Sequence, residues 1–156
     1  MPSVQVRLDQ RLRQRARQLS EAKPVVLDTN IVLDMFVFND PAASAIKSSL
    51  ASGTFQWIAT PMMRDELARV LAYPHIVLKL GFYKISAESV LTQFDQGARL
   101  EPVADKAPVA CKDPDDQKFI DLAVLHQALL LSKDNAVLCM KKRLLSLGVI
   151  AQAAID

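Results

Sequence analysis

Short apolar runs alternating with helical patterns constrain this 156-residue chain more than any other feature. Pro24-Val25-Val26-Leu27-Asp28 is one such run, apolar at consecutive rather than alternate positions. A strand covered on both faces reads this way, as in a parallel sheet with helices on each side. Helical patterns follow over 29–38 and 41–51, and a second strand is expected over 55–60. Pro61 then stands where a first helical turn tolerates proline, and Pro74 stops that helix near residue 72. Further helices are expected over 75–80 and over 87–98, the latter capped by Ser86. Short strands over 100–103, 129–132 and 149–151 alternate with helices over 115–128 and 135–147, and Gly148 stops the last helix. Residues 104–114, with Pro108 and Pro114, read as loop. The order predicts an α/β fold with a mostly parallel sheet.

The length suits one domain with a single core, and 51% hydrophobic residues exclude disorder across the chain. With six Phe, two Tyr and one Trp, the core is expected to be mainly aliphatic. No apolar run approaches the roughly 20 residues needed to span a bilayer. The arginine-rich start lacks the apolar segment of a secretory signal, so a cytoplasmic location is expected. Cys111 and Cys139 fit neither a metal spacing nor a disulfide framework, and His75 and His126 join no motif. Charge is uneven. Residues 1–23 hold six basic side chains (Arg7, Arg11, Arg13, Arg15, Arg17, Lys23) against Asp9 and Glu21, a balance of +4, whereas the remainder holds 13 basic against 15 acidic, a balance of −2. Two regions follow: a basic helical extension over 1–23 and a globular domain over 24–156. The extension carries a thin apolar stripe of Val4, Leu8, Leu12 and Leu19, and fits either a polyanionic partner or packing on the body or a second subunit.

In open parallel sheets the ligand crevice lies beyond the carboxyl ends of the strands, so acids at those ends decide the chemistry. Asp28 closes the first strand, Asp134 lies just past the fourth, Asp116 opens the helix leading into it, and Glu66 sits in the helix after the second. Each alone has an ordinary explanation, as a helix cap, a first-turn acid or a solvated side chain. Helix geometry separates the candidates from their neighbours, at about 100° per residue. Around the stripe Met63, Leu67, Val70 and Leu71, Asp65 points roughly 175° away whereas Glu66 lies only about 85° off. Around Phe119, Ile120, Ala123 and Val124, Asp116 lies within about 10° of the inward centre, while Asp115 and Asp121 are over 100° off. Asp113 is then the N-cap, with Pro114 at the first helical position.

Carboxylates that converge without a basic partner at comparable depth repel one another, and a divalent cation removes the conflict. Oxygen-only donors suit Mg²⁺ or Mn²⁺ rather than Zn²⁺, and such sites support hydrolytic displacement at phosphorus. No Ser/His/Asp or Cys/His set offers a protein nucleophile.

Four segments together resemble the PIN-domain family: Val-Val-Leu-Asp-Thr-Asn-Ile-Val-Leu-Asp at 25–34, Thr60-Pro61 through Asp65-Glu66-Leu67, Asp113 through Ala123, and Leu130-Leu131-Ser132-Lys133-Asp134. Their order and spacing match over 24–151, and the resemblance is greatest to PIN proteins described as toxin components of toxin–antitoxin pairs. The resemblance implies a three-layer α/β/α fold and a metal-dependent ribonuclease, with Asp28, Glu66, Asp116 and Asp134 as catalytic acids binding Mg²⁺ or Mn²⁺. It implies that Asn30 and Ser132 orient these acids or the attacking water; Asp34 stands at a frequent position of the family, but its role is read as mainly structural. RNA is then the substrate, a small antitoxin and further copies of the chain are the expected partners, and Arg11, Arg15 and Lys133 are candidate RNA contacts. Lys133 could also neutralise the acids beside it. The extension before residue 24 departs from the usual domain.

Other readings remain open. A receiver-like Mg²⁺-binding module wants a paired acid before the end of the first strand, where Leu27 stands, and a phosphorylatable Asp on a middle strand, where the second strand ends in Thr60. A phosphatase with an Asp nucleophile wants a second Asp at the position of Asn30. An RNA-processing PIN nuclease without an antitoxin shares every feature of the toxin.

Overall fold

The computed structural model describes residues 7–13 and 22–155. Residues 7–13 are helical. The body runs β1 (Lys23–Leu27), α1 (Thr29–Phe36), a 3₁₀ turn (Pro41–Ala43), α2 (Ser44–Ala51), β2 (Phe55–Ala59), α3 (Pro61–Leu71), α4 (Pro74–Tyr83), α5 (Ala87–Gly97), β3 (Arg99–Leu100), a second 3₁₀ turn (Pro114–Asp116), α6 (Gln117–His126), β4 (Leu129–Leu131), α7 (Asn135–Leu138), α8 (Lys141–Ser146) and β5 (Ala151–Gln152). All four pairings in the five-stranded sheet are parallel, in the order β3-β2-β1-β4-β5.

That order fixes the layers. From β1 to β3 the chain steps across the sheet in one direction, and from β3 to β5 in the other. Right-handed crossovers in opposite directions place their helices on opposite faces, giving three layers, α/β/α. The direction reverses between β1 and β4, whose register pairs Val25 with Leu129 and Leu27 with Leu131. Val25, Val26, Ile58, Leu130 and Leu131 are fully buried, as continuous apolar strands covered on both faces must be. Trp57 is the largest core side chain and packs edge-on against Phe94, with ring centroids 4.9 Å apart. A Cβ on Gly97 would stand 3.2 Å from its indole, so a side chain there would crowd the ring.

Several boundaries differ from the sequence expectation. β3 stops at Leu100 because Pro102 has no N–H to continue a ladder; the last link is Glu101 N–H donating to the Ala59 carbonyl at 2.8 Å. α4 outruns the expected 75–80, continuing through Gly81 to Tyr83 with Lys84 as its C-cap in the left-handed conformation (φ 57°). The expected helix over 135–147 is two helices, interrupted where Met140 N–H bonds to the Val137 carbonyl, a 3₁₀-type closure that keeps Val137, Met140 and Leu144 all buried. Val149 is spent on closing α8, its N–H bonded to the Leu144 carbonyl, so the last strand starts at Ala151 instead. On α6 the fully buried set is Phe119, Ile120, Leu122 and Ala123, with Val124 half-buried. The 3₁₀ turn before it advances about 120° per residue, and this rotates the helix relative to an all-α phase.

Candidate active site

Asp28 follows directly on β1, its N–H donating to the Leu131 carbonyl at 2.9 Å. It holds the N-cap position of α1 without a side-chain capping bond. Its carboxylate instead accepts the Ser132 hydroxyl at 2.6 Å, across 104 residues of sequence, and only 4% of the residue is exposed. Ser132 is itself fully buried and its Oγ also accepts the Asp134 N–H at 3.0 Å. Burial pushes the Asp28 carboxyl above its usual range, against the Ser132 hydrogen bond and with the help of the negative charges of Glu66 and Asp134.

Asp116 ends the 3₁₀ turn that Asp113 caps by accepting the Asp115 N–H, as expected. Asp116 is 6% exposed, whereas Asp115 is exposed, so the inward and outward members of that pair fall as the helix geometry requires. Asp116 Oδ2 is buried and has no hydrogen-bond partner. Burial, then proton sharing with Asp134, then the charge of Asp28 push the Asp116 carboxyl up to about 8. Asp134 caps α7, its Oδ1 accepting the Ala136 N–H at 2.9 Å, and also reaches the group. Capping and membership of the acid group are therefore not alternatives. Carboxylate oxygens of Asp28, Asp116 and Asp134 lie within 4.8 Å of one another.

Glu66 stands outside that trio. It is half-buried while Asp65 is exposed, as expected, but its two oxygens are already engaged. Oε2 accepts the Thr29 hydroxyl at 2.6 Å, and Oε1 meets Lys118 Nζ at 3.1 Å. Lys118 and Glu66 are equally buried, so the expectation of no basic partner at comparable depth is corrected for Glu66, though it holds for the trio among the described residues. Sequence reasoning missed Lys118. A lysine two residues past an inward acid reads as solvated, and only the position of α3 against the start of α6 shows otherwise. Lys133 does not neutralise the trio; its Nζ pairs with Asp34 at 2.5 Å. Asp34 is buried and its carbonyl accepts the Asp40 N–H, a structural place as expected. Asn30 is exposed, and its side chain joins none of the hydrogen bonds among the described residues. Arg11 is exposed on the helix over 7–13, with Leu8 and Leu12 also exposed; Arg15, Val4 and Leu19 lie outside the described residues. Cys111 donates from Sγ to the Ala136 carbonyl at 3.3 Å, and burial pushes its thiol up, away from a reactive thiolate.

The PIN-domain family model matches residues 24–136. The chain belongs to the PIN-domain family. PIN domains have a nuclease-type fold, and the matched span contains Asp28, Glu66, Asp116 and Asp134. None of the curated proteins matches the chain significantly. No helix among the described residues is long and apolar enough to cross a membrane.

The acids of this PIN domain fit a hard cation. Oxygens bound at about 2.1–2.5 Å around one ion stand no more than about 4–5 Å apart, the scale of the spacing within the trio. The unpartnered Asp116 Oδ2 has lost its water without gaining a donor, a cost of about 1–3 kcal/mol or more that a bound cation would reverse. All three donors are carboxylate oxygens, which suits Mg²⁺ or Mn²⁺.

Proposed function

We propose that this PIN domain is a ribonuclease that hydrolyses RNA phosphodiester bonds, with Asp28, Asp116 and Asp134 holding Mg²⁺ or Mn²⁺. The observation that carries the proposal is the trio itself: three carboxylates brought within 4.8 Å at the sheet's switch point, one oxygen left without a partner. When bound, the cation supplies a Lewis acid that activates water and offsets charge growing on the phosphate oxygens. The chain's own residues preorganise that chemistry. Ser132 fixes Asp28 and the turn that carries Asp134, and the capping bond to Ala136 fixes the Asp134 carboxylate. Glu66 lies one step out, where it holds Thr29 and Lys118 and adds negative charge toward Asp28. Lys118, tied to Glu66, is placed to help bind RNA beside the acids rather than at the reacting phosphate.

The same proposal extends to partners. The segments resembling toxin PIN domains support a toxin held by a small antitoxin, acting in the cytoplasm as a homo-oligomer. Residues 1–23 form a basic extension to the domain at 24–156, with Arg11, Arg15 and Lys133 as RNA contacts. The test is cleavage of single-stranded RNA by the full chain with Mg²⁺ or Mn²⁺, with excess chelator, and with Asp116→Asn. Cleavage is expected only with metal and the intact trio. Undiminished cleavage in chelator overturns the metal mechanism.

A further inference from the structure

We propose that the cleft at the carboxyl ends of β2 and β3 is a nucleoside subsite, taking the base and ribose of the nucleotide next to the scissile phosphate. The inference rests on the ribonuclease reading and adds where, and by what chemistry, the RNA is read. The cleft has a volume of about 510 Å³, within the range of small-molecule sites. Its place follows from the register. Val25 pairs with Trp57, so the same offset sets Asp28 opposite Thr60, one strand spacing of about 5 Å apart. Thr60 lines the cleft, and Pro114 and Asp115, from the turn that carries Asp116, form its opposite wall. The cleft therefore opens one strand over from the acids.

Its lining selects a nucleoside over a phosphate. Asp65, Asp115 and Asp121 outnumber Arg69 and Lys118, and Lys118 is already paired with Glu66. A phosphate would meet net negative charge, whereas ribose hydroxyls and base amino groups are donors that carboxylates accept. Met62 and Val103 flank the cleft, 49% and 59% exposed, and offer apolar surface for the faces of a base. At the floor, Thr60 is 2% exposed and its hydroxyl is unsatisfied. It occupies the N-cap of α3, where threonine ordinarily accepts a helix N–H, yet it makes no capping bond. A buried hydroxyl without a partner is destabilising, so a ligand that meets it gains by doing so. A ligand group seated against this wall of the cleft would supply the missing partner.

The experiment titrates each of the four ribonucleosides into metal-free, ¹⁵N-labelled protein and follows amide shifts, with Thr60→Val and Thr60→Ser alongside. At least one nucleoside is expected to give saturating shifts centred on Thr60, Met62, Val103 and Lys118. Thr60→Val is expected to weaken that binding about tenfold without lowering the melting temperature, and Thr60→Ser to restore it to within twofold of the native protein. No saturating shift with any of the four, shifts centred elsewhere, or binding unchanged in Thr60→Val overturns the subsite. Cleavage plays no part in the readout. A protein that cuts RNA but takes no nucleoside here loses only the subsite, and one that takes a nucleoside but never cuts loses only the ribonuclease reading.

Discussion

In metal-free protein, stability should fall as pH rises from about 4 to about 8, and Asp116→Asn should remove a large part of that fall. The Asp116 carboxyl is pushed up to about 8 in the folded state from an ordinary 3.8. Its folded pKa lies above the unfolded one, so between those values the native state binds more protons and unfolding becomes easier with each unit of pH. The stabilisation is fully present below the unfolded pKa and is lost as pH passes the folded one. About four units at 1.36 kcal/mol each give an upper bound of about 5–6 kcal/mol. Asp28 and Asp134 share in the same charge conflict, which brings the part removed by Asp116→Asn to about 2–4 kcal/mol. For a domain of this length that is about 5–15 °C in melting temperature. The assay is thermal melting by circular dichroism in chelator at pH 5 and pH 8. On going from pH 5 to pH 8 the native protein should lose more melting temperature than Asp116→Asn by about that interval, and Asp116→Asn should melt higher than the native protein at pH 8. A native melting temperature that is flat or rises between the two, relative to Asp116→Asn, refutes the placement of an uncompensated acid at Asp116. Millimolar Mg²⁺ should restore the loss at pH 8 by binding the native state alone.

Asp116→Asn should abolish most cleavage while Asp115→Asn retains it, and Glu66→Gln should cost more than Asp65→Asn but less than Asp116→Asn; comparable inactivity in a folded Asp115→Asn would mean the faces are misassigned. Ser132→Ala removes the buried donor to Asp28 and should cost about 1–3 kcal/mol of stability together with weaker Mn²⁺ binding, checked by denaturant unfolding and metal titration; unchanged metal affinity would show that the hydroxyl does not position Asp28. Lys118→Met leaves Glu66 with one partner and should raise the KM for RNA more than it lowers kcat, whereas the reverse split would place Lys118 at the reacting phosphate. Deleting residues 1–22 is expected to weaken RNA binding and flatten its salt dependence, and an unchanged slope with a changed oligomeric mass assigns the extension to subunit packing.

The acids were legible in the sequence where local geometry governs them. Asp65 and Glu66 differ by one α-helical step of about 100°, Asp115 and Asp116 by one 3₁₀ step of about 120°, and in both pairs only the second acid turns inward. The caps Asp113 and Ser86 were equally legible, because capping depends on residues two or three positions away. Contacts between distant segments were not. Lys118 meets Glu66 across 52 residues, and Ser132 meets Asp28 across 104, distances at which periodicity carries no information. The resemblance supplied Ser132, yet neither it nor the pattern pointed to Lys118, to the split of the last expected helix, or to the unpartnered Thr60 hydroxyl.

The pairing of β1 with β4 also sets when a growing chain can acquire a working trio. Asp28 is made 104 residues before its partner Ser132, and the strand that carries Ser132 and Asp134 must insert beside β1 to bring them close. A nascent chain that has emerged only through α6 has β1, β2, β3 and two of the three acids, and no place where they converge with the third. Contacts of such long sequence separation form late, since the closure entropy of the intervening loop must be overcome first. The trio therefore comes together only once β4 has inserted beside β1, and a chain interrupted before β4 has no place where the three acids meet.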